Sequence, residues 1–204
     1  MSRPLDLSDG TPLAGDLVAV LDETSPAMGP GVYYVVTSAI MMNPSSVKAA
    51  VKDLFVDTPG RVRPFHWNRE GTAARERIVN VMIDEGVVAV SRYQSVARKK
   101  QKTAREQLLR AIADDLHHEN IDHLIIESGD KTTNQRDRSA LLDHYRQRGG
   151  VPFVYDWRSK QEQLLWIADA LNGIIHDHFV HNRHTTIERL TRAGVLQGPP
   201  IYTP

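Results

Sequence analysis

The stretch Leu17-Val18-Ala19-Val20-Leu21-Asp22-Glu23 decides the fold, because an apolar strand runs directly into two carboxylates. A second apolar segment, residues 32–42, follows after a turn rich in proline and glycine. Two strands joined by such a turn are typical of a β-hairpin. A strand this apolar is buried, so the acids at its end lie at the rim of a core, where several enzymes bind a divalent metal. Asp22 is therefore the first candidate functional residue.

Composition limits the class of protein. The 204 residues fit one domain, 1–204, for which we expect a core over about 17–180 and a C-terminal tail over 181–204. Acidic and basic residues both number 25, so the net charge indicates no general attraction to nucleic acid or to a membrane. The chain has no cysteine, which excludes disulfides, thiolate zinc sites and a cysteine nucleophile. Residues 1–15 lack a signal-peptide pattern and 32–42 is too short to span a bilayer, so we expect a cytoplasmic protein with no membrane partner.

The order of predicted elements indicates the fold class. Asn43-Pro44-Ser45-Ser46 is a helix start, a second helix is predicted over 72–84, and a third strand over 87–93. Helices and strands then alternate, which is typical of parallel strands with right-handed crossovers. The helices are predicted near 103–118, 135–147 and 160–179, and the strands near 121–127 and 151–155. This α/β order is that of a ribonuclease H-like fold, a mixed five-stranded sheet flanked by helices, with a helical insertion between strands two and three.

Three carboxylates are expected to meet in that arrangement. Asp22 ends strand one, Glu127 ends strand four, which lies beside it, and Asp169 is on the helix that packs across both. Carboxylates in one place repel each other and raise one another's pKa unless a cation neutralises them. Mg²⁺ or Mn²⁺ suits such oxygen ligands, and two such ions activate water for phosphodiester cleavage. The sequence thus predicts a divalent-metal site with the chemistry of a nuclease.

Each of these acids also has an ordinary structural interpretation. An acid at the end of a strand is commonly a turn or cap residue. Asp169 lies on the flank of the apolar stripe of its helix, where periodicity alone predicts a solvated side chain. Gly173 is one turn later on the same face, and a glycine inside a helix costs about 1 kcal/mol relative to alanine. We therefore expect that something needs the space beside Gly173. Glu162 and His176 share that face and are candidates for supporting contacts.

Three short motifs resemble the prokaryotic family known as domain of unknown function 3800, which is placed with the ribonuclease H-like proteins. Asp22-Glu23-Thr24-Ser25 is similar to the family's opening Asp-Glu-Ser-Gly, Phe65-His66 to its mid-chain histidine, and the segment Leu165-Trp166-Ile167-Ala168-Asp169 to its closing Leu-Gln-x-Ala-Asp. The chain departs from the family at Thr24, Ser25 and Trp166. The resemblance implies a nuclease-like fold with an acidic metal site, and it adds Glu23 and His66 to the candidate catalytic residues.

Other polar residues have weaker indications. His66 fits a general base, a metal ligand or a substrate contact, and equally a packed loop residue. Asp156, predicted at the end of strand five, is a further candidate metal ligand. The run Arg98-Lys99-Lys100, with Lys102 and Arg105, fits phosphate contacts or a solvated loop. The spacing of His176, His178, His181 and His184 gives no clean pair with a carboxylate on one face, so we expect no zinc site there.

Three hypotheses follow. The leading one is a metal-dependent nuclease or phosphodiesterase, a hydrolase in which Asp22, Glu23, His66, Glu127 and Asp169 are catalytic and Asp22, Glu127, Asp169 and Asp156 bind Mg²⁺ or Mn²⁺. Its partner is RNA or DNA. The alternative is a non-catalytic interaction module of a mobile-element or defence system. A third hypothesis, hydrolysis of a small phosphorylated molecule, uses the same acids without the basic run.

Overall fold

A mixed β-sheet forms the centre of the molecule in the computed structural model, which describes residues 16–57 and 61–197. The strands are β1 (Val18–Thr24), β2 (Ala27–Met28), β3 (Gly31–Met41), β4 (Val56–Asp57), β5 (Arg61–Val62), β6 (Val88–Val96), β7 (His123–Glu127), β8 (Val154–Arg158) and β9 (Leu196–Gln197). The helices are α1 (Pro44–Leu54), α2 (Thr72–Asp84), α3 (Gln101–His118), α4 (Lys131–Tyr145), α5 (Leu165–His181) and α6 (Thr185–Arg192).

The strand order of the main sheet is β8-β7-β1-β3-β6-β9, and β2 pairs with β3 outside this order. β3 is antiparallel to β1 and β6, whereas β7 is parallel to β1 and to β8. This is the predicted mixed α/β fold, with β1 beside the fourth long strand and with α1 and α2 inserted between β3 and β6. In the described part of the chain, the main sheet has seven strands rather than the expected five, because β9 adds to β6 in parallel and the short β2 pairs with β3.

Strand β9 lies in the segment 181–204 that was expected to be a tail. Helix α6 and β9 both belong to this segment, and Leu190 and Val195 are buried in the same apolar cluster as α5. The described part of the segment therefore packs on the sheet. Residues 198–204, like the polar N-terminal segment 1–15, lie outside the described residues. Among the helices that the structure describes, none is long and apolar enough to cross a membrane.

Alternation along β1 sends successive side chains to opposite faces of the sheet. Val18 and Val20 pack in the cluster that includes α5, whereas Ala19 and Leu21 pack in the cluster formed with α3 and α4. The next two residues continue this pattern. Asp22 therefore lies on the α5 face and Glu23 on the α3 face.

Three boundaries differ from the prediction in ways that affect the site. Helix α5 begins at Leu165, five residues later than expected, so Lys160 lies in the turn before the helix. Strand β8 begins three residues later than expected, which places Asp156 in the middle of the strand instead of at its end. Helix α4 begins at Lys131, four residues earlier than expected, because the Asp130 side chain accepts a hydrogen bond of 2.7 Å from the backbone N–H of Thr133. An N-cap outside the apolar pattern thus lengthens the helix by a turn.

Candidate active site

A cavity of about 280 Å³ opens where β1 and β7 end against α5. Its lining contains all five predicted catalytic residues, namely Asp22, Glu23, His66, Glu127 and Asp169. Residues separated by up to 147 positions are thus brought together, because the parallel pairing of β1 with β7 aligns their carboxyl ends and α5 crosses both strands. The cavity thus brings these five side chains together, and the distances between them show which carboxylates lie close enough to share a proton or a cation.

Asp22 and Glu127 form a carboxyl pair. Their strands are in register at Leu21 and Ile126, so the two acids come next on neighbouring strands. Asp22 is buried, and this burial, together with the adjacent Glu127 carboxylate, raises the pKa of Asp22 to about 7, against the lowering effects of Lys160 and of a 2.7 Å hydrogen bond from the Glu23 backbone N–H.

The carboxyl pair fits a divalent cation. Glu127 Oε2 is buried and has no hydrogen-bond donor among the described residues unless Asp22 is protonated. A buried carboxylate oxygen without a donor is costly, and hard divalent cations prefer such oxygens as ligands. The pair would therefore hold either one proton or a metal ion.

Asp169 is fixed by the loop that carries the mid-chain histidine. Its Oδ2 accepts a hydrogen bond of 2.8 Å from the backbone N–H of Trp67, and His66 Nδ1 lies 3.2 Å from its Oδ1. Asp169 is buried, so these contacts hold the carboxylate in one orientation. They also orient the imidazole of His66 at the cavity wall.

Lys160 is a site residue that the sequence analysis did not identify. Its Nζ lies 3.2 Å from Glu127 Oε1 and 3.1 Å from Asp169 Oδ1, between the two carboxylates. Burial lowers the pKa of Lys160, but the carboxylates of Asp169, Glu127 and Asp22 outweigh this effect and raise the pKa. Lys160 stands in the polar turn before α5, where the sequence carries no signal that its side chain reaches these acids.

The turn before α5 also fixes the backbone at Lys160. The Trp166 indole N–H donates a hydrogen bond of 2.7 Å to the carbonyl oxygen of Lys160. Trp166 thus holds the backbone next to the cavity.

Glu23 reaches the cavity rim but is engaged on the other face of the sheet. It is ion-paired with Arg105 of α3, and Arg105 donates hydrogen bonds of 3.0 Å from Nε and 2.8 Å from Nη2 to the buried Asp137. Burial raises the pKa of Glu23, and Arg105 counteracts part of this effect. Arg105 is therefore a buried structural cation, and the suggestion that it joins the basic run 98–102 in contacting phosphates is not supported.

Asp156 does not line the cavity. It lies in the middle of β8, where it pairs with Ile125, two positions before Glu127, and its carboxylate accepts hydrogen bonds of 3.0 and 2.8 Å from Arg158. The later start of β8 explains this position. Glu162, another suggested neighbour, is likewise occupied by Lys48, with an N–O distance of 2.9 Å.

The space beside Gly173 is filled by Trp67. A Cβ atom at Gly173 would lie 2.1 Å from Cγ of Trp67, so only glycine lets the indole pack against α5. This contact holds the loop whose backbone N–H binds Asp169. The space that the sequence indicated is thus used by a side chain of the protein that positions the site.

Asn172 is the second residue that the sequence analysis missed. It follows Asp169 by three positions on α5, is only 3% exposed, lines the cavity, and neither atom of its side-chain amide has a hydrogen-bond partner among the described residues. His176, one turn further, also lines the cavity with its buried Nδ1 unpartnered. Buried amides are normally satisfied, so Asn172 provides a donor and an acceptor for a molecule in the cavity.

The C-terminal histidines do bring metal-type ligands together. His176, Asp177 and His181 have ligand atoms within 4.8 Å of one another, and they form the one such group in residues 16–57 and 61–197. Asp177 Oδ2, however, lies 3.4 Å from both Arg75 and Arg183, whose positive charges oppose a cation. The oxygens of Asp22, Glu127 and Asp169 are more widely spaced than this group, with Lys160 between two of the three acids.

No protein-family model matches the chain, and no curated protein does. A solved structure described as the PCNA:RNase HII complex from Archaeoglobus fulgidus is similar over 90% of this chain and 82% of that chain, with a TM-score of 0.47 and 14% sequence identity. The resemblance to domain of unknown function 3800 remains a prediction.

Proposed function

We propose that this protein is a divalent-metal-dependent nuclease or phosphodiesterase in which Asp22, Glu127 and Asp169 hold Mg²⁺ or Mn²⁺. The observation that carries the proposal is the convergence of these three carboxylates, from β1, β7 and α5, on one cavity with Lys160. The pKa of Asp22, raised to about 7 by burial and by the adjacent Glu127 carboxylate, supports it, because the single ammonium group of Lys160 does not balance three carboxylates. Clusters of carboxylates from separate strands and helices are the usual sites for hard cations such as Mg²⁺.

The metal would polarise the phosphate and lower the pKa of a bound water. The protein side chains contribute the remaining steps. Asp22 exchanges its proton for the cation, so metal affinity should increase as pH rises through about 7. His66 is held by Asp169 through Nδ1, and its second ring nitrogen, for which the described residues provide no partner, would exchange a proton with the substrate or with water. Lys160 adds positive charge for a phosphate oxygen at the end of the cavity nearest Asp169.

A non-catalytic interaction module is the second candidate function. The observation that favours it is the position of Lys160, whose ammonium group already neutralises part of the charge on Glu127 and Asp169. A site that a lysine had balanced would keep the fold without binding metal. The two candidates differ in one measurable property, the response to divalent cations.

Cleavage assays test the proposal with matched variants. Wild type, Asp22→Asn and Asp53→Asn are incubated with single-stranded, double-stranded and hybrid RNA and DNA and with bis(p-nitrophenyl) phosphate, in Mn²⁺, Mg²⁺ or EDTA. Asp53 is an exposed acid on α1 and serves as the control. We expect activity in wild type and Asp53→Asn, none in EDTA, and a loss of about 100-fold or more in Asp22→Asn. A folded Asp22→Asn variant with wild-type activity contradicts the proposal.

The choice of substrates also separates nucleic acid from a small phosphorylated molecule. Cleavage of bis(p-nitrophenyl) phosphate alone favours a phosphodiesterase of small substrates, whereas processing of a long strand favours a nuclease. We also place the protein in the cytoplasm, which is supported by the absence of cysteine.

A further inference from the structure

A second cavity lies next to the acidic one. It has a volume of about 400 Å³ and is lined by Lys131, Asn134, Gln135 and Arg138 of α4 and by Trp157 of β8. No acidic side chain is among these lining residues. The loop 128–130 separates the two cavities, because Ser128 and Gly129 line the acidic cavity and Lys131 begins the basic one. We call the second cavity the basic cavity.

One face of α4 supplies the positive charge. Lys131, Gln135 and Arg138 are spaced by four and three residues, which places them on the same side of the helix. All three are exposed, and neither Lys131 nor Arg138 forms an ion pair with another described residue. Cations that no acid of the protein neutralises are available to an anionic ligand.

Asn134 ties this face to the loop that borders the acidic cavity. Its Oδ1 accepts a hydrogen bond of 2.9 Å from the Gly129 backbone N–H, and its Nδ2 donates one of 3.0 Å to Ser128 Oγ. The Asp130 cap holds the first turn of the same helix. The spacing between the two cavities is therefore fixed by hydrogen bonds, as a site that binds one continuous ligand requires.

Trp157 supplies an aromatic wall on the edge strand β8. The guanidinium of Arg138 lies 5.3 Å from the centre of its ring, and Tyr155 meets it edge to face at 5.5 Å. The indole Nε1 of Trp157 is buried and has no hydrogen-bond acceptor among the described residues. A buried N–H without an acceptor is rare in folded proteins, so it indicates an acceptor that is not among the described residues.

We propose that the basic cavity binds a nucleotide of a single-stranded nucleic acid whose neighbouring phosphate lies in the acidic cavity. Lys131 and Arg138 bind backbone phosphates, the face of Trp157 takes a base or ribose, and its N–H donates to an oxygen of the strand. Cations combined with an aromatic platform are how proteins hold single strands without sequence preference. The inference rests on the proposed function and assigns its substrate class, since a small phosphoester has no use for the second cavity.

Binding in the absence of catalysis tests the inference. A fluorescein-labelled twelve-nucleotide RNA or DNA strand is titrated with Asp22→Asn protein in EDTA over a series of NaCl concentrations, so that neither cleavage nor metal is needed. Lys131→Gln and Arg138→Gln should each weaken binding about three- to ten-fold and each reduce the slope of log K against log[salt] by about 0.7. Lys52→Gln, an exposed lysine on α1, is the matched control and should change neither quantity.

Tryptophan fluorescence gives a second, local measurement. Trp157 lines the basic cavity and Trp67 lines the acidic one, so an unlabelled strand can quench both, whereas Trp166 is only 1% exposed. Trp157→Phe keeps an aromatic ring and should remove the part of the quenching that Trp157 contributes; a thermal melt checks that it folds. Unchanged affinity and salt slope in both α4 variants overturn the inference, as does equal binding of poly-glutamate, which would indicate an acidic-peptide site.

The failure of this inference and the failure of the proposed function are distinguishable. Cleavage of a strand that does not depend on Lys131 and Arg138 contradicts only this inference. Binding of a strand without cleavage contradicts only the proposed nuclease activity.

Discussion

Asp22 and Glu23 are neighbours in β1 and face opposite sides of the sheet, where they enter two different charge networks. On the α3 face, Arg105 lies between Glu23 and Asp137 and donates three hydrogen bonds to Asp137. On the α5 face, Asp22 shares a cavity with further acids, and Lys160 contacts two of these acids but is half-exposed at the rim.

The two networks differ in how completely their charges are satisfied. Asp137 is fully buried and its carboxylate accepts hydrogen bonds from the planar guanidinium of Arg105, the geometry in which buried ion pairs are well compensated. Burial and, after it, the Glu127 carboxylate raise the pKa of Asp22 to about 7, and among the described residues Glu127 Oε2 has no donor other than a protonated Asp22. The α3 face has one cation, Arg105, for two carboxylates, and this network stabilises the fold. The α5 face has one cation, Lys160, for the three carboxylates of Asp22, Glu127 and Asp169, so it can accept a further cation. The predictions below test this difference.

The largest effect on the free energy of unfolding is expected on the α3 face, where Arg105 is paired with Asp137. Arg105→Met leaves the buried Asp137 without its cation and should reduce the free energy of unfolding by about 3 to 5 kcal/mol. Urea unfolding followed by circular dichroism measures this loss. The double variant Arg105→Met/Asp137→Leu should recover much of it, because the fully buried charge of Asp137 is removed and only the partly exposed Glu23 is left without its cation. Equal destabilisation in the single and double variants would show that packing, not charge, is what Arg105 contributes.

The acidic cavity should give the metal-free protein an unusual dependence on pH. The folded pKa of Asp22, about 7, is above its unfolded value of 3.8, so the folded state binds the proton more tightly. Stability from this group is fully present below pH 4 and is lost as pH rises through 7, by on the order of 3 to 4 kcal/mol. Unfolding experiments in EDTA at a series of pH values measure this loss of stability. Asp22→Asn should remove this fall between pH 4 and 7, whereas Glu23→Gln should leave most of it; an unchanged fall in Asp22→Asn contradicts the pairing with Glu127.

Gly173→Ala tests how the cavity is positioned. The added methyl group would overlap Trp67, so the loop carrying His66 must move, at a cost of about 1 to 3 kcal/mol. Because the same loop binds Asp169, we expect metal affinity to fall together with stability. Thermal melts and calorimetric titration with Mn²⁺ measure the two effects. Gly71→Ala, with open space around its Cβ position, is the control and should change neither.

Lys160→Met gives the smallest expected effect and shows what the lysine does. Removing its charge should tighten Mn²⁺ binding five- to ten-fold, about 1 kcal/mol after solvent screening, because the ammonium no longer competes at Glu127 and Asp169. Calorimetric titration measures the affinity. Cleavage activity should nevertheless fall, since a positive charge near the phosphate is lost. Weaker metal binding in Lys160→Met would show that Lys160 positions the carboxylates instead of competing for them.

The sequence predicted the elements that have strong periodicity. Helix α2 has the predicted bounds Thr72–Asp84, and the hairpin of β1 with β3 and the placement of β7 beside β1 were also predicted, because apolar patterns and topology rules determine them. β8 was predicted three residues too early, since its edge position leaves it without a continuous apolar run. This error is what brought Asp156 into the expected metal site.

The residues that were missed depend on side-chain reach. Lys160 and Asn172 stand in positions whose sequence context is ordinary, and their role appears only when β7, α5 and the turn before α5 converge. The position of Glu23, in contrast, could have been predicted, because alternation along β1 places its side chain on the opposite face of the sheet from Asp22. Alternation therefore indicates a partner for Glu23 on that other face, and this partner is Arg105.

The most direct test of the central claim is a thermal melt of wild type and Asp22→Asn in EDTA, Mg²⁺ and Mn²⁺. A cation at a hundred times its dissociation constant stabilises the folded state by about 2.7 kcal/mol, which raises the melting temperature of a domain of this size by about 5 to 10 °C. The account predicts this rise for wild type and its loss in Asp22→Asn. Wild type that does not respond to millimolar Mg²⁺ or Mn²⁺, or an Asp22→Asn variant that responds equally, would contradict the assignment of the acidic cavity as a metal site.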